Sequence, residues 1–106
     1  MTDYLIERNE RKCRVKLVGD FVASVVPGLK SALNLELQAG VAEVEFDLRD
    51  TPMLDSSGIG LLIAAYNSLA RQGAVLRVAN ASPDILRLLQ SMRLVNRLNV
   101  SGRATS

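Results

Sequence analysis

Residues 43–48, Glu-Val-Glu-Phe-Asp-Leu, alternate strictly between acidic and apolar side chains. A period of two sets Val44, Phe46 and Leu48 on one side of a strand and Glu43, Glu45 and Asp47 on the other. Helices bury apolar stripes, so they cannot cover both sides of such a strand equally. This segment predicts a sheet with an apolar side roofed by helices and a second side left polar.

The remaining elements fit around that strand. Residues 4–7 and 13–18 read as two strands joined by the charged connector 8–12. In the second, Cys13, Val15 and Leu17 alternate with Arg14 and Lys16, which places Cys13 on the apolar side as a small inert hydrophobe. Gly19-Asp20 breaks the pattern. A helix is expected from about Ser24 to Gln38, with Ser24 as its cap, Pro27 in its first turn and Gly40 as its stop. Its apolar stripe is Leu29, Ala32, Leu33 and Leu37. After the turn Arg49-Asp50-Thr51-Pro52, a second helix is expected from about Ser57 to Arg71, with Ile59, Leu62, Ile63, Tyr66, Leu69 and Ala70 on one face. Residues 74–79 read as a strand. Ser82 and Pro83 start a last helix whose apolar face is Ile85, Leu88, Leu89 and Met92. A short strand is expected over Leu98–Val100, followed by a frayed tail over 101–106. Strands alternating with helices imply parallel crossovers behind an antiparallel opening hairpin. The expected fold class is α/β: a mixed sheet with an N-terminal hairpin, parallel strands and helices mainly on one side. Residues 1–100 are expected to form one domain, consistent with the 106-residue length.

Composition removes most catalytic classes. There is no His, so neither a Ser-His-Asp triad, a phosphohistidine relay nor an imidazole metal site can be built. The single cysteine permits no internal disulfide. No apolar run approaches the ~20 residues that span a bilayer, and the N-terminus lacks a signal-peptide pattern. A cytoplasmic protein without a membrane partner is expected. Charge is uneven. Residues 1–56 carry seven basic and ten acidic groups, whereas residues 57–106 carry six arginines and only Asp84. The second half could be mistaken for a nucleic-acid surface. Aromatic residues are only 4% of the chain, however, and none is interleaved with Arg87, Arg93 and Arg97, so no stacking platform for single strands exists. No nucleic-acid partner is expected.

Phosphate loops are absent. Gly58-Ile59-Gly60 starts like G-x-G-x-x-G, but Ile63 stands where the third glycine belongs. No G-x-S-x-G or Ser-x-x-Lys motif occurs. Asp50 and Asp55 are too few acids for a metal centre. No enzyme activity, cofactor or metal is expected. The segment left is Asp55-Ser56-Ser57-Gly58-Ile59-Gly60, before an expected helix. One reading is structural: Asp55, Ser56 or Ser57 caps the helix. Two further features point beyond capping. Two serines follow the aspartate where one cap would suffice. Two glycines also occupy the first helical turn, where each costs up to about 1 kcal/mol relative to Ala. A bare turn admits another protein and exposes a serine hydroxyl.

At these residues the chain resembles a known family. Phe46-Asp47-Leu48-Arg49-Asp50-Thr51-Pro52-Met53-Leu54-Asp55-Ser56-Ser57-Gly58-Ile59-Gly60 is similar to the signature of STAS domains, and more narrowly of the single-domain anti-sigma factor antagonists of bacteria. Leu17-Val18-Gly19-Asp20-Phe21, Gly73-Ala74-Val75-Leu76-Arg77-Val78 and Ser82-Pro83 resemble flanking parts of the family, in order. The resemblance implies a partner switch. The unmodified protein binds an anti-sigma factor that is also a serine kinase, phosphorylation ends the complex, and a metal-dependent serine phosphatase resets it. The acceptor serine of the family falls on Ser56. The partner-binding positions it implies are Asp20, Phe21, Val22, Leu54, Asp55, Ser57, Gly58, Ile59 and Gly60. One position departs. The family often carries Gly-Glu-Leu-Asp where this chain has Gly19-Asp20-Phe21-Val22, so Val22 replaces an acid. That departure keeps an alternative open: a phosphorylation-independent scaffold that docks a signalling or secretion-regulating partner. The sequence leaves a homo-oligomer open as well.

Overall fold

Burial follows the alternation of the central strand. In the computed structural model, which describes residues 3–103, Val44, Phe46 and Leu48 are fully buried, while Glu43 and Glu45 lie partly open on the reverse side. Five strands form one sheet in the order β1 (Tyr4–Asn9), β2 (Lys12–Val18), β3 (Glu43–Asp50), β4 (Val75–Ala81) and β5 (Val100–Gly102). The β1/β2 pair is antiparallel and the other pairs are parallel. Helices α1 (Val26–Gln38), α2 (Ser56–Arg71) and α3 (Pro83–Ser91) make the three connections between parallel strands. This is the mixed α/β architecture the sequence predicts.

The core lies between the helices and one side of the sheet. Cys13, Val15 and Leu17 of β2 and Leu76 and Val78 of β4 extend the apolar row of β3. Leu29 and Leu33 of α1, Leu62 and Leu69 of α2, and Ile85 and Leu89 of α3 close it from above. On the reverse side, strand register aligns Glu7, Arg14, Glu45 and Arg77 in one row across four strands. Charges alternate along that row, and Arg14 pairs with Glu45 at 3.3 Å. Lys12 and Arg77 both reach Glu43, at 3.3 and 3.4 Å. The reverse side is therefore charge-balanced and suited to water.

Element boundaries differ from the sequence reading where long-range ties intervene. Both hairpin strands are longer, leaving a two-residue turn in which Glu10 takes a φ of 59°. Helix α1 starts at Val26, and its N-cap is Val25, without a side-chain cap, rather than Ser24. Residues 22–25 form a turn instead, closed by the Val25 N–H donating to the Val22 carbonyl at 2.9 Å. Helix α2 starts one residue early, at Ser56, and β3 continues to Asp50. Leu88 and Met92, expected in the core, are exposed, because α3 ends at Ser91 and meets only the β4/β5 margin of the sheet. Leu61, which the helical stripe omitted, is buried instead, and Ala70 is exposed. Leu98 is a core residue in a turn, its N–H donating to the Leu94 carbonyl, so β5 begins later, at Val100. Ser101 and Gly102, expected in the tail, therefore belong to β5. The Arg103 N–H donates to the Ala81 carbonyl at 3.1 Å. The rest of the expected tail, 104–106, lies outside the described residues. Among the described residues, no helix is long and apolar enough to cross a membrane.

Candidate functional site

The site is built where β3 hands over to α2. Thr51, fully buried, donates its hydroxyl to the Leu17 carbonyl at 3.2 Å and so ties this handover to the end of β2. Leu54 forms a parallel bridge with Phe21. The Phe21 N–H donates to the Met53 carbonyl at 2.9 Å, and the Asp55 N–H donates to the Phe21 carbonyl at 3.2 Å. The Phe21 ring stacks on Phe46 of β3, with centroids 6.3 Å apart. The segment after β2 is thereby fixed against the segment before α2.

Asp55 is the N-cap of α2. Its Oδ1 accepts from the Gly58 N–H at 3.0 Å, the usual capping bond. Its Oδ2 accepts from the Ala23 N–H at 3.2 Å, in the other segment. Ser56 is the first residue of the helix and is exposed; Ser57 is half-buried. Helix geometry leaves the first N–H groups without intrahelical acceptors, and the helix dipole adds positive potential there. A negative group on Ser56 would be tolerated by α2 itself.

The positions implied by the family resemblance separate into two groups. Asp20, Ser56 and Gly60 are exposed, and Val22, Asp55 and Ser57 are half-buried. These six lie on the surface. Phe21, Leu54, Gly58 and Ile59 are buried, so they shape the site from beneath and do not face a partner. The expectation that both glycines leave the turn bare holds only for Gly60. A Cβ at Gly58 would come within 2.6 Å of the Phe21 carbonyl oxygen and 2.7 Å of a Leu54 methyl. Gly58 is a close-packing residue. The sequence reading missed Met53, an apolar side chain 49% exposed between Pro52 and Leu54. Its signal was an apolar residue out of step with both β3 and α2. Ala23 was also missed, because its part is played by a backbone N–H that no side-chain pattern reveals.

A separate polar cluster lies on the reverse side of the sheet. The Asp47 carboxylate is buried there and accepts from the Asn80 side-chain amide at 2.9 Å, the Arg49 N–H at 3.0 Å and Arg14 at 3.0 Å. Burial pushes its pKa up, but the two hydrogen bonds and the arginine charges outweigh it and hold the carboxyl below its ordinary value. Among the described residues, no group of three or more acids and cysteines is placed to hold a metal.

Comparison with known proteins covers nearly all of the described chain. The family described as STAS domain matches residues 4–103. The anti-sigma-B factor antagonist of Bacillus subtilis (strain 168) is 24% identical over 99 residues, covering 93% of this chain and 90% of that protein. Among solved structures, the anti-sigma factor antagonist SpoIIAA in its unphosphorylated form superposes with a TM-score of 0.84 at 19% identity, covering 97% of this chain and 89% of that one. The Bacillus cell fate determinant SpoIIAA in the phosphorylated form gives 0.78 at 19% identity, over 97% and 92%. An anti-sigma factor antagonist from Mycobacterium paratuberculosis gives 0.80 at 20% identity, over 96% and 85%. These structural likenesses establish the fold, and the family match extends over both segments that build the Asp55–Ser56 turn. The chain belongs to the STAS domain family.

Proposed function

We propose that this protein is an anti-sigma factor antagonist whose docking is switched off by phosphorylation of Ser56. Unmodified, it binds an anti-sigma factor that doubles as a serine kinase; a metal-dependent serine phosphatase restores the binding form. The observation that carries this reading is the placement of Ser56. It is an exposed residue at the first position of a capped helix, directly after Asp55, and the bridge between Phe21 and Leu54 holds the turn before it in place. The names of the similar proteins point to the same role, and one of them has been solved with and without phosphate.

The physics of the turn supports a switch without unfolding. Phosphorylation adds about −1.5 to −2 charge at neutral pH. The first turn of α2 accommodates that charge. A docked partner would have to enclose it beside Asp55, and losing ~3 kcal/mol there weakens binding more than a hundredfold. The test uses the kinase encoded beside or co-purifying with this protein. Ser56→Ala should remain folded, bind the kinase and take up no label from ATP. Ser56→Asp should remain folded and bind at least about a hundredfold more weakly. Labelling of Ser56→Ala at the parent's stoichiometry would move the acceptor elsewhere.

Val22 favours a second reading. A half-buried valine stands where the family often has an acid, which fits a partner contact that does not use charge. In that reading the protein is a phosphorylation-independent scaffold, and Ser56→Asp binds like the parent.

A further inference from the structure

Three hydrogen bonds hold residues 21–23 to residues 53–55, and they are not alike. Two are backbone pairs: the Phe21 N–H to the Met53 carbonyl and the Asp55 N–H to the Phe21 carbonyl. A charge on a nearby side chain changes such bonds little. The third runs from the Ala23 N–H to Oδ2 of Asp55. Its acceptor is a carboxylate on the residue directly before Ser56.

Asp55 therefore serves two helix starts at once. Through Oδ1 it caps α2 at Gly58. Through Oδ2 it holds the segment that leads into α1, which has no side-chain cap of its own. Val22 and Ala23 close the turn before α1 by accepting from the N–H groups of Val25 and Val26, at 2.9 and 3.3 Å. Capping of α2 alone does not require this arrangement, since Ser and Asn cap as well as Asp. The second oxygen is what distinguishes aspartate here.

We propose that Asp55 is a positioning residue that couples the charge on Ser56 to the segment Val22–Ser24. The proposal rests on the reading of Ser56 as the switch residue, and it gives that switch a mechanical second half. A dianion on Ser56 stands beside the Asp55 carboxylate and repels it. The capping bond to Gly58 is local, partly buried and 3.0 Å long, and the α2 start favours it. The bond to Ala23 is longer, at 3.2 Å, and exposed to water, so it yields first. Val22 and Ala23 then lose their fixed placement, while the backbone pairs keep Phe21 against Met53 and Asp55. Phosphorylation would thus remove the docking surface by charge and by loosening half of its frame.

The test needs no partner. Solvent exchange of the Ala23 amide is measured by NMR in the isolated, nitrogen-labelled protein, in the parent, Ser56→Glu, Asp55→Ser and the double variant. Asp55→Ser keeps an α2 cap but is too short to reach Ala23. Ser56→Glu should accelerate Ala23 exchange at least fivefold more when Asp55 is present than when it is replaced. A smaller ratio overturns the proposal. Gly58 and Ile59 amides that stay protected throughout show that α2 remains formed; if Asp55→Ser disturbs them, Asp55→Asn replaces it in the same cycle. Failure of the functional reading registers elsewhere, as equal binding of the kinase by the parent and Ser56→Asp, so the two outcomes are distinguishable.

Discussion

Two glycines two residues apart in α2 carry opposite constraints. Gly58 sits against the Phe21 carbonyl oxygen, a backbone atom fixed by its own hydrogen bond to Asp55. An added methyl there must push apart the bridge between Phe21 and Leu54. Gly58→Ala is expected to lower unfolding free energy by ~1–3 kcal/mol, the usual range for overpacking. Gly60 has open space where its Cβ would be. Gly60→Ala is expected to raise stability by up to about 1 kcal/mol through helix propensity. Thermal unfolding of the two variants checks the pair, and midpoints moving in the same direction would contradict the packing argument. Sequence alone presented the glycines as equals, because what separates them is Phe21, thirty-seven residues before Gly58 in the chain. The acid–serine–serine pattern, by contrast, was legible: an aspartate three residues before a glycine at a helix start is a local signal, and Asp55 is the cap.

Elements were legible where their own periodicity sets them and misread where a neighbour does. Strands β2, β3 and β4 alternate, and their buried apolar residues follow the alternation up to Val78; Asp47 on the polar side and Ala81 after the β4/β5 register shift are buried out of step. The start of α1 does not follow local rules: Ser24 has the chemistry of a cap, but the bonds from Phe21 and Ala23 to the 53–55 segment impose a turn there. In α3, Leu88 and Met92 keep a helical spacing yet miss the core, because the helix is nine residues long and sits at the sheet margin. The polar side of β3 also carries more structure than alternation reveals. Asn80 takes a φ of 60° where the β4/β5 register shifts, and its side chain bonds to Asp47. The native Asp47 carboxyl lies below its ordinary value, so its contribution to stability is present above the unfolded value near ~3.9. It is lost as pH falls through the lower native value. Asp47→Asn is expected to destabilise by ~1–3 kcal/mol at pH 7, and the gap from the parent should narrow near pH 3. Urea titrations at both pH values test this, and a gap independent of pH would show that the charge plays no part.

At the scale of the molecule, Cys13 reports on the core as a unit. It is fully buried on β2, and burial first, with Glu36 second, pushes its thiol up to about 11. Because the native value exceeds the unfolded one near ~8.5, burial of the neutral thiol favours the native state at lower pH, and that contribution fades as pH rises past ~8.5. In native buffer at pH 8, a thiol reagent should label it about a thousandfold or more slowly than an unfolded cysteine. Labelling as fast as in urea would show that the sheet opens locally at β2. The strand directions have one further consequence. Tyr4 lies opposite Leu17 near the end of β2, and Gly102 lies opposite Ala81 at the end of β4, while the Arg103 side chain donates to the Arg49 carbonyl at 2.7 Å. Both ends of the described chain thus emerge on the rim that carries Ser56. On the proposed docking at Ser56, a dye attached at position 3 or 103 would sense the bound protein, whereas a bulky group at either position would crowd it.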